Sequence, residues 1–389
     1  MIKKFFIYLI ILTLPITIIL WFYFTIILSA ETIRFFIKKE IPPYDPEKCY
    51  RAGCYVNYEN YDWANEYFYE NDIAKTKVFS GHTLYKEANF NGKYLNIEGP
   101  DNLRKTKMPK KIKSNKQINV FGGSVAWGFG TKDDLTLSSL LAKEFNLKST
   151  NYAHNAWTST QSLIELNRIL SQGKNLDYVI FLSGTNDAIE LCNKKNPREN
   201  LNTLTLDSYQ KKIYGENYKA TTFNHFFSTF DQFFTFLKYK LIKNYHLKKS
   251  KKKAETQLHD CHSDSEKLNA ATNYTINNWL SAKKLVEEQG GKFYLILQPN
   301  PFYDDTPMDH IGDIFKTALR DPSYKKSFEL FFDTISKKLN NEYFFLDLKS
   351  LFKNLNNPIY IDWAGHFSPE GYQYIIEEFR KKFSKDFDL

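Results

Sequence analysis

The stretch Ile118-Asn-Val-Phe-Gly-Gly-Ser124-Val-Ala-Trp-Gly128 constrains this 389-residue chain more than any other. Ile118 to Phe121 is a short β-branched and aromatic run that stops at two glycines, the pattern of a buried strand. Gly122 and Gly123 let the backbone turn sharply. Ser124 follows at once, and from about Leu135 the apolar spacing becomes helical. Strand, glycine turn, serine and helix expose a hydroxyl at the C-terminal edge of a parallel sheet. The same features also describe an ordinary βα turn with a serine helix cap.

From Gln117 onward, strand and helix patterns alternate. Strands are expected at Ile118 to Phe121, Tyr178 to Leu182, Phe293 to Leu297 and Tyr343 to Leu346. Helices are expected at Leu135 to Phe145, Gln161 to Gln172, Asn269 to Gln289, Lys325 to Leu339 and Pro369 to Phe383. That order predicts an α/β fold, a mainly parallel sheet with helices on both faces. An insertion at about 192–266 breaks the alternation. In it, Phe223, Phe226, Phe227, Phe230, Phe233, Phe234 and Leu237 share one helical face, and the basic run Lys238 to Lys253 follows. This face reads as a helix packed on the core, or as one lying on a bilayer.

Residues 5–29 read as a single transmembrane anchor. Phe5 to Leu28 holds no charged residue, and at about 1.5 Å per residue it can span roughly 30 Å of hydrocarbon. Leu28-Ser29-Ala30 is a poor cleavage site. Lys3 and Lys4 precede the run while Arg34, Lys38 and Lys39 follow, so flanking charge leaves the orientation open. Residues 30–116 form an aromatic, polar extension that packs on the following domain or links it to the membrane. Gly92 to Ile97 is a candidate strand within it. Residues 117–389 form the main domain.

The net charge of +9 is concentrated in Lys238 to Lys253 and Arg104 to Lys116. Zinc-finger spacing, RNP patterns and basic-region heptads are absent, so nucleic acid is not an expected partner; anionic lipid or an acidic polysaccharide suits a basic face at least as well. Cys49 and Cys54 are close enough to staple a local loop, and Cys192 with Cys261 would bracket the insertion. An even count beside an anchor favours disulfides and an extracytoplasmic domain, with four buried thiols as the alternative. No metal, nucleotide or organic cofactor is implied.

Three further stretches fall into line with the serine block. They are Asn151-Tyr-Ala-His-Asn-Ala156-Trp, Leu182-Ser-Gly184-Thr-Asn186-Asp187 and Asp362-Trp-Ala-Gly-His366-Phe-Ser-Pro-Glu-Gly371. In this order the blocks resemble the SGNH (GDSL-like) hydrolase superfamily over about Gln117 to Asp388. The anchor and the Gly92 to Thr106 stretch resemble membrane-tethered bacterial members linked to surface polysaccharides. The resemblance implies a three-layer, flavodoxin-like α/β/α domain behind one N-terminal transmembrane helix, in the bacterial inner membrane. It also implies a serine esterase or O-acyltransferase acting on acylated, chiefly acetylated, envelope or extracellular glycan. The alternatives are a catalytically weak glycan-binding protein on the same fold and a basic membrane-surface or nucleic-acid binder.

Acyl transfer needs a nucleophile, a base and oxyanion donors. Ser124 is the candidate nucleophile and His366 the base. The backbone N–H groups of Ser124 and Ala156 with the Asn186 side chain form the oxyanion hole that the resemblance implies. Two departures stand out. Ala153 and Ala156 replace usual glycines, and a backbone donor at Ala156 is kept where its φ stays negative. The usual acid position, three before the histidine, holds Trp363, so Asp362 at four before is the expected orienter, or a backbone carbonyl takes its place. His154 is expected on a surface loop. Gln298, Pro299 and Asp347 follow later strands and are expected to shape the pocket.

Overall fold

The computed structural model describes residues 43–74, 76–174, 176–194, 259–304, 306–311 and 322–387, with positions 13–15, 18 and 23. The chain divides into two units, Met1–Asp45 and Pro46–Leu389. In the first, Thr13–Pro15, Ile18 and Tyr23 are helical; the rest of the expected anchor lies outside the described residues. Among the described residues no helix is long and apolar enough to cross a membrane. The Phe-rich face and the basic run of the insertion also lie outside them.

The second unit carries ten strands among its described residues. They are β1 (Lys77–Ser80), β2 (Leu84–Glu87), β3 (Phe90–Asn91), β4 (Asn96–Glu98), β5 (Leu103–Arg104), β6 (Gln117–Gly122), β7 (Lys148–Asn151), β8 (Tyr178–Ser183), β9 (Lys292–Leu297) and β10 (Phe345–Asp347). β1 and β2 form a separate antiparallel hairpin. The other eight form one sheet in the order β10-β9-β8-β6-β7-β5-β4-β3. From β10 to β7 every pairing is parallel, while β5, β4 and β3 add on antiparallel. The parallel part is doubly wound: β6 pairs with both β7 and β8, so the winding reverses beside it. Ligands of such sheets bind at the carboxyl ends of the strands flanking that reversal.

The helices described are α1 (Ala64–Ile73), α2 (Ser124–Trp127), α3 (Leu137–Phe145), α4 (Ser159–Ser171), α5 (Thr185–Leu191), α6 (Ser265–Glu288), α7 (Pro322–Leu339) and α8 (Pro369–Phe383). On one face α4, α6 and α7 bury Ile169, Trp279 and Phe331 with Phe121, Phe181 and Phe293 of the strands. On the other, α8 brings Phe379 and Phe383 to Tyr294, ring centroids 5.5 and 4.7 Å away. Adjacent residues of β9 thus face opposite layers, as the period of a strand requires. Every residue of β8 is buried, the mark of a parallel strand covered on both sides.

Two elements depart from the sequence pattern. β7 is Lys-Ser-Thr-Asn and carries no apolar signal. Its buried polar groups are matched instead: Ser149 Oγ lies 2.7 Å from Ser138 Oγ, and Asn151 Nδ2 donates to the Ala126 and Trp127 carbonyls at 3.2 Å. The candidate strand at Gly92 to Ile97 is strand only at its end: Asn96 and Ile97 open β4, while Gly92 to Leu95 form the turn between β3 and β4, closed by Gly92 N–H to Leu95 O at 3.0 Å. Glu70 of α1 accepts the Tyr94 and Leu95 N–H groups, both at 2.9 Å, and holds that turn.

Both cysteine pairs are bridged, Cys49 to Cys54 and Cys192 to Cys261, with Cα atoms 5.8 and 5.1 Å apart. The second bridge closes the neck of the insertion.

Candidate active site

Ser124 is the first residue of α2, separated from the end of β6 by Gly123 alone. Gly122 has φ +146°, and a Cβ there would lie 2.1 Å from Leu182 O, so only glycine lets β6 turn beside β8. Three tyrosines brace the segment that follows. Tyr372 donates to Val125 O at 3.0 Å, Tyr58 donates to Gly130 O at 2.5 Å, and Tyr67 accepts the Gly130 N–H at 3.1 Å. Two of these come from the region before residue 117, and all three are buried.

His366 reaches Ser124 from the loop before α8. Its Nε2 lies 2.6 Å from Ser124 Oγ, and its Nδ1 lies 2.6 Å from Asp362 Oδ2. The four-residue spacing is absorbed inside a small loop. Ile361 N–H donates to His366 O at 2.9 Å and closes it, while Gly365 turns through φ +81°. Asp362 Oδ1 accepts the Ala364 and His366 N–H groups at 3.0 and 3.2 Å. Trp363 turns the other way, edge-on to Tyr324 at 5.2 Å. A carboxylate, not a backbone carbonyl, therefore orients the imidazole. Phe129 covers the imidazole at 4.3 Å, leaving the His366 and Asp362 side chains 14% and 16% exposed.

Asn186 sits in the first turn of α5, beyond the end of β8. Its Nδ2 donates to Trp157 O at 2.9 Å, which fixes the amide plane and leaves a second N–H on the same nitrogen. The amide passes so close to Gly123 that a Cβ there would lie 2.3 Å from Nδ2. Ser124, Ala156, Asn186 and His366 line one cavity of about 350 Å³. Ala156 reverses the expectation that tied its donor to a negative φ: it lines the cavity beside Ser124 and Asn186 with φ at +61°. That left-handed conformation costs an alanine about 1–2 kcal/mol, which the usual glycine avoids.

The same cavity receives side chains that sequence reasoning assigned no chemistry. Arg51, Asn71, Lys77 and Glu87 line it from the region before residue 117. Arg51 extends from the Cys49–Cys54 loop, pairs with Asp72 at 2.5 Å and lies 5.5 Å from the Phe129 ring. The bracketing cysteines were the one available signal for Arg51.

His154 is wholly buried, against the expectation of a surface loop. Its Nδ1 meets Glu87 Oε2 at 2.5 Å and its ring packs 4.4 Å from Trp157. Burial drives the Glu87 carboxyl upward, but the His154 hydrogen bond and charge outweigh it, so it titrates below its ordinary range. Gln298 and Asp347 do not line the cavity among the described residues. Gln298 and Pro299 support the histidine loop instead, 3.4 Å from where a Cβ on Gly365 would stand, and Asp347 pairs with Lys349 at 2.7 Å. No group of three or more His, Cys, Asp or Glu side chains among the described residues is arranged to hold a metal ion.

No protein-family model and no curated protein matches the chain. Solved structures do. The chain is similar to GDSL lipolytic hydrolases. One is a G-D-S-L family lipolytic protein from Veillonella parvula, at 10% identity and TM-score 0.35, covering 69% of this chain and 99% of that one. A carbohydrate acetylesterase from Sinorhizobium meliloti matches at 14% identity and TM-score 0.36, covering 70% and 99%. A phospholipase A1 from Streptomyces albidoflavus matches at 11% identity and TM-score 0.36, covering 69% and 100%. At these scores the likeness decides nothing about chemistry.

Proposed function

We propose that this protein is a serine esterase that cleaves short O-acyl groups, acetyl above all, from an envelope or extracellular glycan. The observation that carries the reading is the chain of contacts from Ser124 Oγ through His366 to Asp362, each 2.6 Å, opening on one cavity. A serine hydroxyl is a poor nucleophile at neutral pH unless a base takes its proton as it attacks.

In this reaction Ser124 Oγ bonds to the ester carbonyl carbon and its proton passes to His366 Nε2. Asp362 accepts the Nδ1–H and stabilises the imidazolium that forms. The carbonyl oxygen gains the negative charge and is met by the Asn186 amide and the backbone N–H groups of Ser124 and Ala156. Collapse of this intermediate breaks the carbon–alkoxy bond, and His366 returns the proton to the departing sugar hydroxyl. Water then repeats the sequence on the acyl-serine and releases the carboxylate. A second sugar hydroxyl in place of water makes the same machinery a transferase.

The cavity of about 350 Å³ is at the small end for ligand sites, roughly 300–1,000 Å³. It suits a short acyl group and part of one sugar, not a long lipid chain. Its wall carries both signs, Arg51 and Lys77 beside Glu87 and Asp362, and we take the two cations as the groups that meet the carboxylates of an acidic glycan. We read residues 5–29 as the anchor that holds the enzyme at the bacterial inner membrane, with its disulfide-bonded domain outside the cytoplasm.

The test is hydrolysis of p-nitrophenyl acetate and of an acetylated acidic oligosaccharide by the wild-type chain, Ser124→Ala and His366→Ala. Loss in both variants on both substrates is expected. Equal rates in all three proteins would return the chain to the glycan-binding reading. Acetyl appearing on an added acceptor sugar would identify the transferase.

A further inference from the structure

Ala156 stands third in a tight turn, His154 to Trp157, whose Trp157 N–H donates to His154 O at 3.3 Å. With φ +61° at that position, the turn belongs to the kind that glycine favours. An alanine there has an easier alternative. Rotating the Asn155–Ala156 peptide by about half a turn gives negative φ at Ala156 and a type I turn open to most residues. The peptide is planar and trans, so its C=O and N–H point in opposite directions. The flip would put the Asn155 carbonyl where the Ala156 N–H had been, an acceptor in place of an oxyanion donor.

Strand β2, outside the main sheet, holds this turn in the costlier state. The Tyr85 hydroxyl donates to Asn155 O at 3.0 Å, and Lys77 Nζ reaches the same oxygen at 3.5 Å. Both contacts grip the peptide group whose other end is the Ala156 N–H. Around it, Glu87 Oε1 accepts the Asn155 N–H at 3.1 Å and Tyr85 O accepts Trp157 Nε1–H at 3.1 Å. The hairpin is itself fastened by the buried Lys86–Glu165 pair at 2.8 Å. Tyr85 and Trp157 are each about 1% exposed and pack together, so the hydroxyl has little freedom to leave.

We infer that Tyr85 is a positioning residue for acyl transfer: its hydroxyl locks the Asn155–Ala156 peptide so that an alanine delivers the oxyanion N–H that glycine otherwise provides. This rests on the esterase reading given above. Lys77 assists at the same oxygen, and Tyr85, which does not line the cavity, acts on the reaction only through the turn.

The test is a double-mutant cycle on p-nitrophenyl acetate hydrolysis between Tyr85→Phe and Ala156→Gly, with the thermal midpoint of each protein measured alongside. Losing an oxyanion donor typically costs about 10²–10³-fold in kcat. With the flip only partly populated, Tyr85→Phe is expected to lower kcat at least about 10-fold and to change KM less than about 3-fold. In the Ala156→Gly background, where positive φ carries no penalty, the same hydroxyl deletion is expected to cost less than about 3-fold. Equal losses in the two backgrounds, or a loss confined to KM, would overturn the inference while leaving the esterase reading intact. Should Tyr85→Phe fold poorly, Lys77→Met takes its place: a smaller kcat loss that vanishes in the Ala156→Gly background supports the lock, and a loss of the same size in both backgrounds refutes it. A wild-type chain with no Ser124-dependent activity overturns the esterase reading and the inference together.

Discussion

Asp362 holds His366 at two places: Oδ2 meets the imidazole Nδ1 at 2.6 Å, and Oδ1 accepts the His366 backbone N–H at 3.2 Å. One carboxylate thus sets both the tautomer of the ring and the path of the loop that carries it. Asp362→Asn keeps the shape and loses the charge, and its amide can donate to Nδ1, which favours the wrong tautomer. A kcat loss of about 10²–10⁴-fold is expected, with KM little changed. Steady-state kinetics check it; a loss under about 3-fold would show that Asp362 only shapes the loop.

Gly365 makes the four-residue spacing workable. Its φ of +81° would cost an alanine about 1–2 kcal/mol, and relaxing that strain moves His366 away from Ser124. Gly365→Ala is expected to lower kcat at least about 10-fold while the fold persists, read by kinetics beside the circular dichroism spectrum.

Gly123→Ala tests the Asn186 donor from a neighbouring position. The added methyl would lie 2.3 Å from Asn186 Nδ2 and 3.0 Å from Trp157 O, so the amide has to leave its place. The expected kcat loss, about 10²-fold or more, should match that of Asn186→Ala. The double variant should then be little worse than either single one.

Arg51 and Lys77 both line the cavity, and their charge should be felt most by an acidic substrate. Arg51→Gln is expected to raise KM for an acetylated uronic-acid oligosaccharide several-fold more than for its neutral counterpart, and added salt should shrink that difference. Equal changes for both substrates would remove Arg51 from substrate recognition.

Asp187, beside Asn186, predicts a pH effect on stability. Burial pushes its carboxyl up to about 6, even though Ser159 and Ser183 donate to it. An acid whose folded pKa is raised binds its proton more tightly in the native state. Its contribution is therefore full below the unfolded value near 4 and is lost as pH rises through about 6. Asp187→Asn should flatten the thermal midpoint between pH 4 and 7 relative to wild type. Parallel curves for the two proteins would contradict it.

The parallel core was legible because β6, β8 and β9 are apolar runs bounded by glycine or polar breaks, and α8 repeats its buried positions at helical spacing. The serine and histidine blocks were legible as chemistry because their residue types and chain order match a known scheme. β7 was not, since its burial rests on side-chain hydrogen bonds that leave no hydrophobic pattern. The contributions of Arg51, Tyr85 and Glu87 were not legible either. They arrive on short, polar and aromatic segments whose partners are distant in sequence, 70 residues for Tyr85 with Asn155 and 67 for Glu87 with His154, as with Tyr58 and Tyr372 bracing the segment after Ser124. The positive φ of Ala156 is a tertiary effect imposed by β2, and alanine alone argues for the opposite sign.

The most direct test of the central claim is mass spectrometry of the intact chain after a fluorophosphonate probe, with the labelled peptide sequenced. One adduct on Ser124, absent in Ser124→Ala and strongly slowed in His366→Ala, is the predicted result. A chain left unlabelled, or labelled equally fast without His366, would contradict an activated serine at this site.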